Sequence, residues 1–234
     1  MSEPQKLTLA VPSKGRLMER TLEYFADAGL EIKKSGSSRG YRGEMPAAPE
    51  ADVVFMSASE IASALHHGRI HLGVTGEDLI NEEAAEAKPM ATPLKPLGFG
   101  EANVVVAVPK CWVDVRSMRD LGEVGFQFRK RHQRRMRVAT KYTNTTRRYF
   151  TEYGIADYRI VESLGATEGT PASGTAELIV DITSTGATLA ANALKILDDG
   201  VILTSEATLF AAKDADWPPH IRATENEILG KLGL

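Results

Sequence analysis

The sequence predicts an α/β protein of two domains. Short apolar runs alternate with helix-like stretches along the whole chain, a proline-rich break interrupts that alternation near the middle, and a late apolar run has no partner close to it in sequence. Leu7 to Val11 is a strand followed by a helix from Arg16 to Ala28, Asp52 to Met56 a strand followed by Ala58 to His67, and Ile70 to Val74 a strand followed by Glu77 to Ala85. Ser57-Ala58-Ser59-Glu60 has the form of a capping box and Gly68 that of a stop, which confines one helix between two strands. Lys88 to Gly98, rich in proline and glycine, marks the crossing into the second domain. There the alternation resumes: strand Asn103 to Val108, helix Ser117 to His132, strand Met136 to Thr140, helix Thr145 to Tyr153, strands Tyr158 to Glu162 and Leu178 to Ile182, and a helix from Ala187 to Leu197. Val201 to Thr204 is expected to return to the first domain, which has only three clear strands of its own. The expected domains are therefore 1–98 plus 200–234, and 99–199. More than one crossing between them implies a hinge and a cleft.

Composition excludes several functions. With 234 residues and 43% hydrophobic content the chain can bury a sizeable core. A formal charge of -3 provides no global field for nucleic acid or an anionic membrane, so any anion site must be local. Cys111, the single cysteine, cannot form an internal disulfide, and no His/Cys cluster has zinc-ligand spacing. The N-terminus lacks the apolar core of a signal peptide and no run has the length of a membrane span. A reducing cytoplasm is expected, with no nucleic acid and no membrane as partner.

The chemistry concentrates in a few stretches. DITSTGATL, residues 181 to 189, places hydroxyls and a glycine where a strand becomes a helix. Free N–H groups, the positive helix end, close backbone approach at Gly186 and hydroxyl donors then converge on one point, a geometry suited to phosphate, and Asp181 can accept from ribose hydroxyls. A helix cap alone would explain Ser184 or Thr185, but Thr183, Ser184, Thr185 and Thr188 together exceed what a cap requires. Rossmann and Walker fingerprints are absent. TLAVPSKGRL, residues 8 to 17, has the same strand-to-helix form with Lys14 and Arg16 added, either an anion site or a solvated loop. Thr75 to Asp78 reads as a capping box, with Asp78 and Glu82 on one helix face. Arg129 to Arg137 is the most basic run, read first as a solvated helix end and second as a docking surface.

In order, LAVPSKGRL, HLGVTGEDLINEE, RVATKYTNTTRRYF, GATEGTPASGTAELIVDITSTGATLAANAL and VILTSEATLF resemble the ATP phosphoribosyltransferase family, which opens histidine biosynthesis, and they span nearly the whole chain. The resemblance implies a two-domain α/β fold like that of periplasmic binding proteins. It implies that Asp181, Ser184, Thr185, Gly186, Ala187 and Thr188 bind the ribose and 5-phosphate of phosphoribosyl pyrophosphate, that Lys14 and Arg16 face the pyrophosphate or the ATP phosphates across the cleft, and that Asp78 contacts substrate. Gly165-Ala166-Thr167-Glu168 stands where the family more often has Gly-Ser-Val-Glu, so only Gly165 and Glu168 carry over, and the basic run looks like a subgroup insertion. Mg2+ is the implied cofactor, without assigned ligands. About 30 residues after Val201 leave little room for a further domain, since independent folding below ~40 residues usually needs disulfides or metals. The expectation is thus the short form of the family, which works in a hetero-oligomer with a regulatory subunit resembling histidyl-tRNA synthetase. A solute-binding protein without catalysis is the alternative, and a basic-patch interaction protein a further one.

Overall fold

The computed structural model describes residues 6–35, 41–84, 91–213 and 217–234. It falls into two compact units, Met1–Gly100 with Glu206–Leu234, and Glu101–Ser205.

The first unit is built on a mixed seven-stranded sheet in the order β2-β3-β4-β1-β5-β12-β6. Its parallel centre is β1 (Leu7–Pro12) between β4 (Ala51–Met56) and β5 (Leu72–Gly76), each followed by a helix: α1 (Gly15–Asp27), α2 (Ala58–His66) and α3 (Glu77–Glu83). Alternation decides the packing. Leu7, Leu9 and Val11 project into one cluster with Phe25, Val53, Leu72 and Ile228, whereas Ala10 projects to the other face with Ile61, Leu65 and Phe210. Both faces of β1 and β5 are covered, which is why these two strands read as continuous apolar runs, whereas β4 alternates and leaves Asp52 exposed. The capping box on α2 is present, with Glu60 N–H donating to Ser57 Oγ at 3.3 Å and Ser57 N–H to Glu60 Oε2 at 2.9 Å.

Several expectations are corrected here. Ala91–Pro96, inside the stretch read as a crossing, is strand β6 at the sheet edge, where prolines cost no ladder bond on the open side. Lys88, Pro89 and Met90, like Ala85, lie outside the described residues. The strand that returns to this unit is β12 (Ala207–Ala212), antiparallel to β5 and β6. Val201 to Thr204 belongs instead to β11 (Leu194–Ser205), with Val201 opposite Val105 in the second sheet, so the second unit extends through Ser205. Two short edge strands, β2 (Lys33–Lys34) and β3 (Arg42–Glu44), are too brief and too charged to show an apolar pattern.

The second unit has a five-stranded sheet, β11-β7-β10-β8-β9, in which β8 (Met136–Thr140), β9 (Tyr158–Glu162) and β10 (Leu178–Thr183) run parallel while β7 (Ala102–Pro109) is antiparallel to β10 and β11. Helices α4 (Met118–His132) and α5 (Thr143–Glu152) complete it. Val105, Ala107, Ala139 and Ile179 form an apolar cluster with Leu189 and Leu194. The expected helix from Ala187 to Leu197 is only α6 (Ala187–Ala191), because Leu194 onward pairs with β7.

Half of the cations in the basic run are paired. Arg129 pairs with Asp157 at 2.7 Å, and Arg134 and Arg137 both grip Glu177, at 2.9 and 2.7 Å. Burial alone would raise the Glu177 carboxyl. The hydrogen bonds from both guanidiniums and from the Arg137 N–H outweigh it and hold it at about 2. These pairs clamp the start of β8 to the turn before β10, a structural duty that the charge pattern alone did not reveal.

Candidate active site

In both units the expected functional residues lie just past the carboxyl ends of parallel strands, where open α/β sheets place their ligands. In the second unit β10 ends at Thr183, and the chain turns through Ser184, Thr185 and Gly186 into α6. Gly186 has φ 73°, left-handed backbone that a residue with a Cβ adopts only under strain, so the turn depends on glycine. The hydroxyls are used twice. Thr183 Oγ1 accepts from Gly186 N–H at 2.9 Å and Thr185 Oγ1 from Ala187 N–H at 3.3 Å, so each side chain holds the loop while its own proton remains to be donated outward. With only five residues, α6 contributes a weak dipole, so attraction for an anion rests on directed N–H and O–H groups. Such a short helix does not stand alone, and buried Leu189 pins it to Val105 and Ile179.

Glu168, Asp181, Ser184, Thr185 and Thr188 line one cavity of about 320 Å³ in this unit. Glu168 sits on a single 3-10 turn, Thr167–Gly169, entered through Ala166 in left-handed backbone (φ 51°) and anchored by buried Thr167, whose hydroxyl donates to Ser163 Oγ at 3.0 Å. Burial pushes the Asp181 carboxyl up; the Ile182 N–H and the Lys141 ammonium oppose this and the Glu168 carboxylate adds to it. Asp181, Glu168 and Lys141 are thus electrostatically one group. Lys141 was not expected. Its signal was available, since it directly follows parallel strand β8 and precedes the Thr143-Asn144-Thr145 opening of α5, the same strand-to-helix arrangement as the loop after β10.

In the first unit Lys14 stands at the N-cap of α1 and Arg16 lies in its first turn, both exposed and in no ion pair among the described residues. Gly15 between them has φ 70°, and Ser13 N–H donates to Met56 O at 2.8 Å, which fixes the loop against the end of β4. Asp78 is buried in the first turn of α3, after the neighbouring strand β5. The capping box expected there is absent: Thr75 Oγ1 donates back to Ala58 O at 2.8 Å and the cap position falls on Gly76, which has no side chain. Asp78 therefore shares the strand-end edge with Lys14 and Arg16.

Among the described residues no helix is long and apolar enough to cross a membrane. The family model described as ATP phosphoribosyltransferase matches residues 57–230. A relative from Bradyrhizobium diazoefficiens named ATP phosphoribosyltransferase is 58% identical over 232 residues, covering 99% of this chain and 71% of its own length. Among solved structures, the ATP phosphoribosyl transferase (HisG:HisZ) complex from Thermotoga maritima contains a chain matched with a TM-score of 0.74 at 26% identity, over 97% of this chain and 96% of that one. The GluR0 ligand-binding core in complex with L-glutamate matches with a TM-score of 0.53 at 13% identity over 99% and 94% of the two chains, a likeness of fold alone.

Proposed function

The chain belongs to the ATP phosphoribosyltransferase family, and from that premise we propose which of its residues carry the reaction and with what partners. The fold is that of periplasmic-binding-protein-like α/β proteins. The enzyme is a pentosyltransferase that moves the phosphoribosyl group of phosphoribosyl pyrophosphate to N1 of ATP and releases pyrophosphate, the first step of histidine biosynthesis. The solute-binding alternative shares only the fold.

The loop Asp181 to Thr188 binds the phosphoribosyl moiety, and the observation that carries this is the single cavity lined by Asp181, Ser184, Thr185 and Thr188. Hydroxyls whose acceptor sides are occupied by loop N–H groups have protons left for phosphate oxygens, and Asp181 accepts from the ribose hydroxyls. Adenine N1 has a free lone pair, so no strong base is needed for attack on the anomeric carbon. Positive charge grows on the ribose and negative charge on the pyrophosphate, so positioning and cations provide the catalysis, Lys14 and Arg16 acting on the phosphates. The proton lost afterwards from the exocyclic nitrogen goes to Glu168 or Asp78. Two carboxylates on one cavity, Glu168 and Asp181, fit the habit of Mg2+ of taking one or two carboxylates plus substrate phosphates, and when bound it would neutralise charge on the leaving group.

Thr188→Val replaces an exposed hydroxyl by a methyl group. It is expected to raise KM for phosphoribosyl pyrophosphate roughly tenfold or more, the worth of one hydrogen bond to a charged group, with KM for ATP unchanged. Equal changes for the two substrates would remove the loop from this role.

The likeness to a chain in the HisG:HisZ complex supports a hetero-oligomer with a regulatory subunit resembling histidyl-tRNA synthetase, in a cytoplasm where the exposed Cys111 stays reduced. Assayed alone, the chain should be weakly active and unresponsive to histidine, and adding that subunit from the same organism should raise turnover and confer inhibition. Full activity and strong histidine inhibition of the isolated chain would overturn the proposal.

A further inference from the structure

The second unit contains another cavity, of about 530 Å³, at the other end of its parallel strands. Arg135 enters it from the residue before β8, Arg159 from the start of β9, and Arg147 from α5 with Thr151 one turn further on. No carboxylate lines it. Among the described residues none of the three arginines is in an ion pair, whereas Arg129, Arg134 and Arg137 of the basic run that also contains Arg135 are paired, the first with Asp157 and the other two with the shared Glu177. Three uncompensated guanidiniums sharing one concavity repel each other unless an anion joins them. The remaining wall suits a ligand with a less polar body: Ile155 and Ile160 are apolar, and Tyr158 offers its phenol. Burial raises that phenol while Arg147 pulls it down, and the net rise keeps it protonated as a donor.

We propose that this cavity is a second anion site, separate from the Asp181 to Thr188 loop, and that it takes a small molecule carrying a di- or triphosphate. Planar guanidinium forks match phosphate oxygens two at a time, and three of them exceed what one monoanion can satisfy. The volume is that of a small-ligand pocket and is larger than a single phosphate needs. The loop after β10 stands at the carboxyl ends of the strands and this cavity at their amino-terminal halves, so the two sites can be emptied independently.

The probe is inorganic pyrophosphate, followed by calorimetric titration into the full chain. Lys14→Ala with Arg16→Ala and Thr188→Val reduces binding at both substrate phosphate positions, and in that background stoichiometric binding should persist. Adding Arg147→Gln and Arg159→Gln should weaken it at least about thirtyfold, since each removes charge-assisted hydrogen bonds. In the otherwise native chain the same two arginine substitutions should leave KM for phosphoribosyl pyrophosphate unchanged. Persistence of the binding after the arginine substitutions would overturn the proposal. So would absence of pyrophosphate binding combined with loss of association between the chain and its regulatory subunit in Arg147→Glu, Arg159→Glu, a result that would make the patch a docking surface for an acidic protein face.

Discussion

Replacing Asp181 by Asn should lower kcat/KM for phosphoribosyl pyrophosphate by about a hundredfold, because two hydrogen bonds from ribose hydroxyls would lose a charged acceptor. The substitution keeps the size of the side chain and an oxygen for the Ile182 N–H, now donating to Asp181 Oδ1 at 2.8 Å, so the fold should survive. The effect should also appear in the pH profile. Burial and the neighbouring Glu168 carboxylate raise the Asp181 carboxyl above its usual value, so as pH falls it gains its proton earlier than an exposed aspartate would. In the native enzyme kcat/KM for this substrate should therefore fall on the acid side as pH drops through that raised pKa. In Asp181→Asn the corresponding limb should be missing. An unchanged acid limb, or an equal loss measured with ATP as the varied substrate, would show that this carboxylate does not hold the ribose.

The parts of this design legible in the sequence share a physical trait: their signal is local. The strands β1, β5 and β7 and the first half of β10 are buried on both faces, so they appear as unbroken apolar runs, while β4 keeps its buried face on Ala51, Val53 and Phe55. The Ser57 capping box and the hydroxyl loop after Val180 are written in adjacent residues. What was misread depended on distant pairing. Leu194 to Leu197 follows a helix and has helical composition, yet β7 has an open side there and takes it as a strand. Val201 to Thr204 and Ala207 to Ala212 are both apolar runs near the chain crossing, and only the ladders to Val105 and to Val74 decide which sheet each joins. The role of Glu177 depends on two arginines forty or more residues earlier. The Asp181–Lys141 coupling crosses between two parallel strands in the same way, so the site was visible as a loop but not as a charge group.

The double substitution of Lys14 and Arg16 by Ala should reduce kcat by roughly two to three orders of magnitude, the range seen when a donor aimed at developing transition-state charge is removed. Pyrophosphate gains charge as its bond to the anomeric carbon breaks, so cations that meet it bind the transition state better than the ground state, and kcat should suffer more than either KM. Stability gives the contrast. Both side chains are exposed and unpaired among the described residues, and such surface changes usually shift unfolding by no more than ~0.5 kcal/mol. Gly15, whose left-handed backbone sets the turn, is untouched, as is the Ser13 bond to Met56. Steady-state kinetics paired with thermal unfolding separates the readings. A large loss of kcat at constant melting temperature places the two cations on the leaving group. Equal loss of both would make the loop a structural element, and native kinetics would make it a solvated turn with two surface charges.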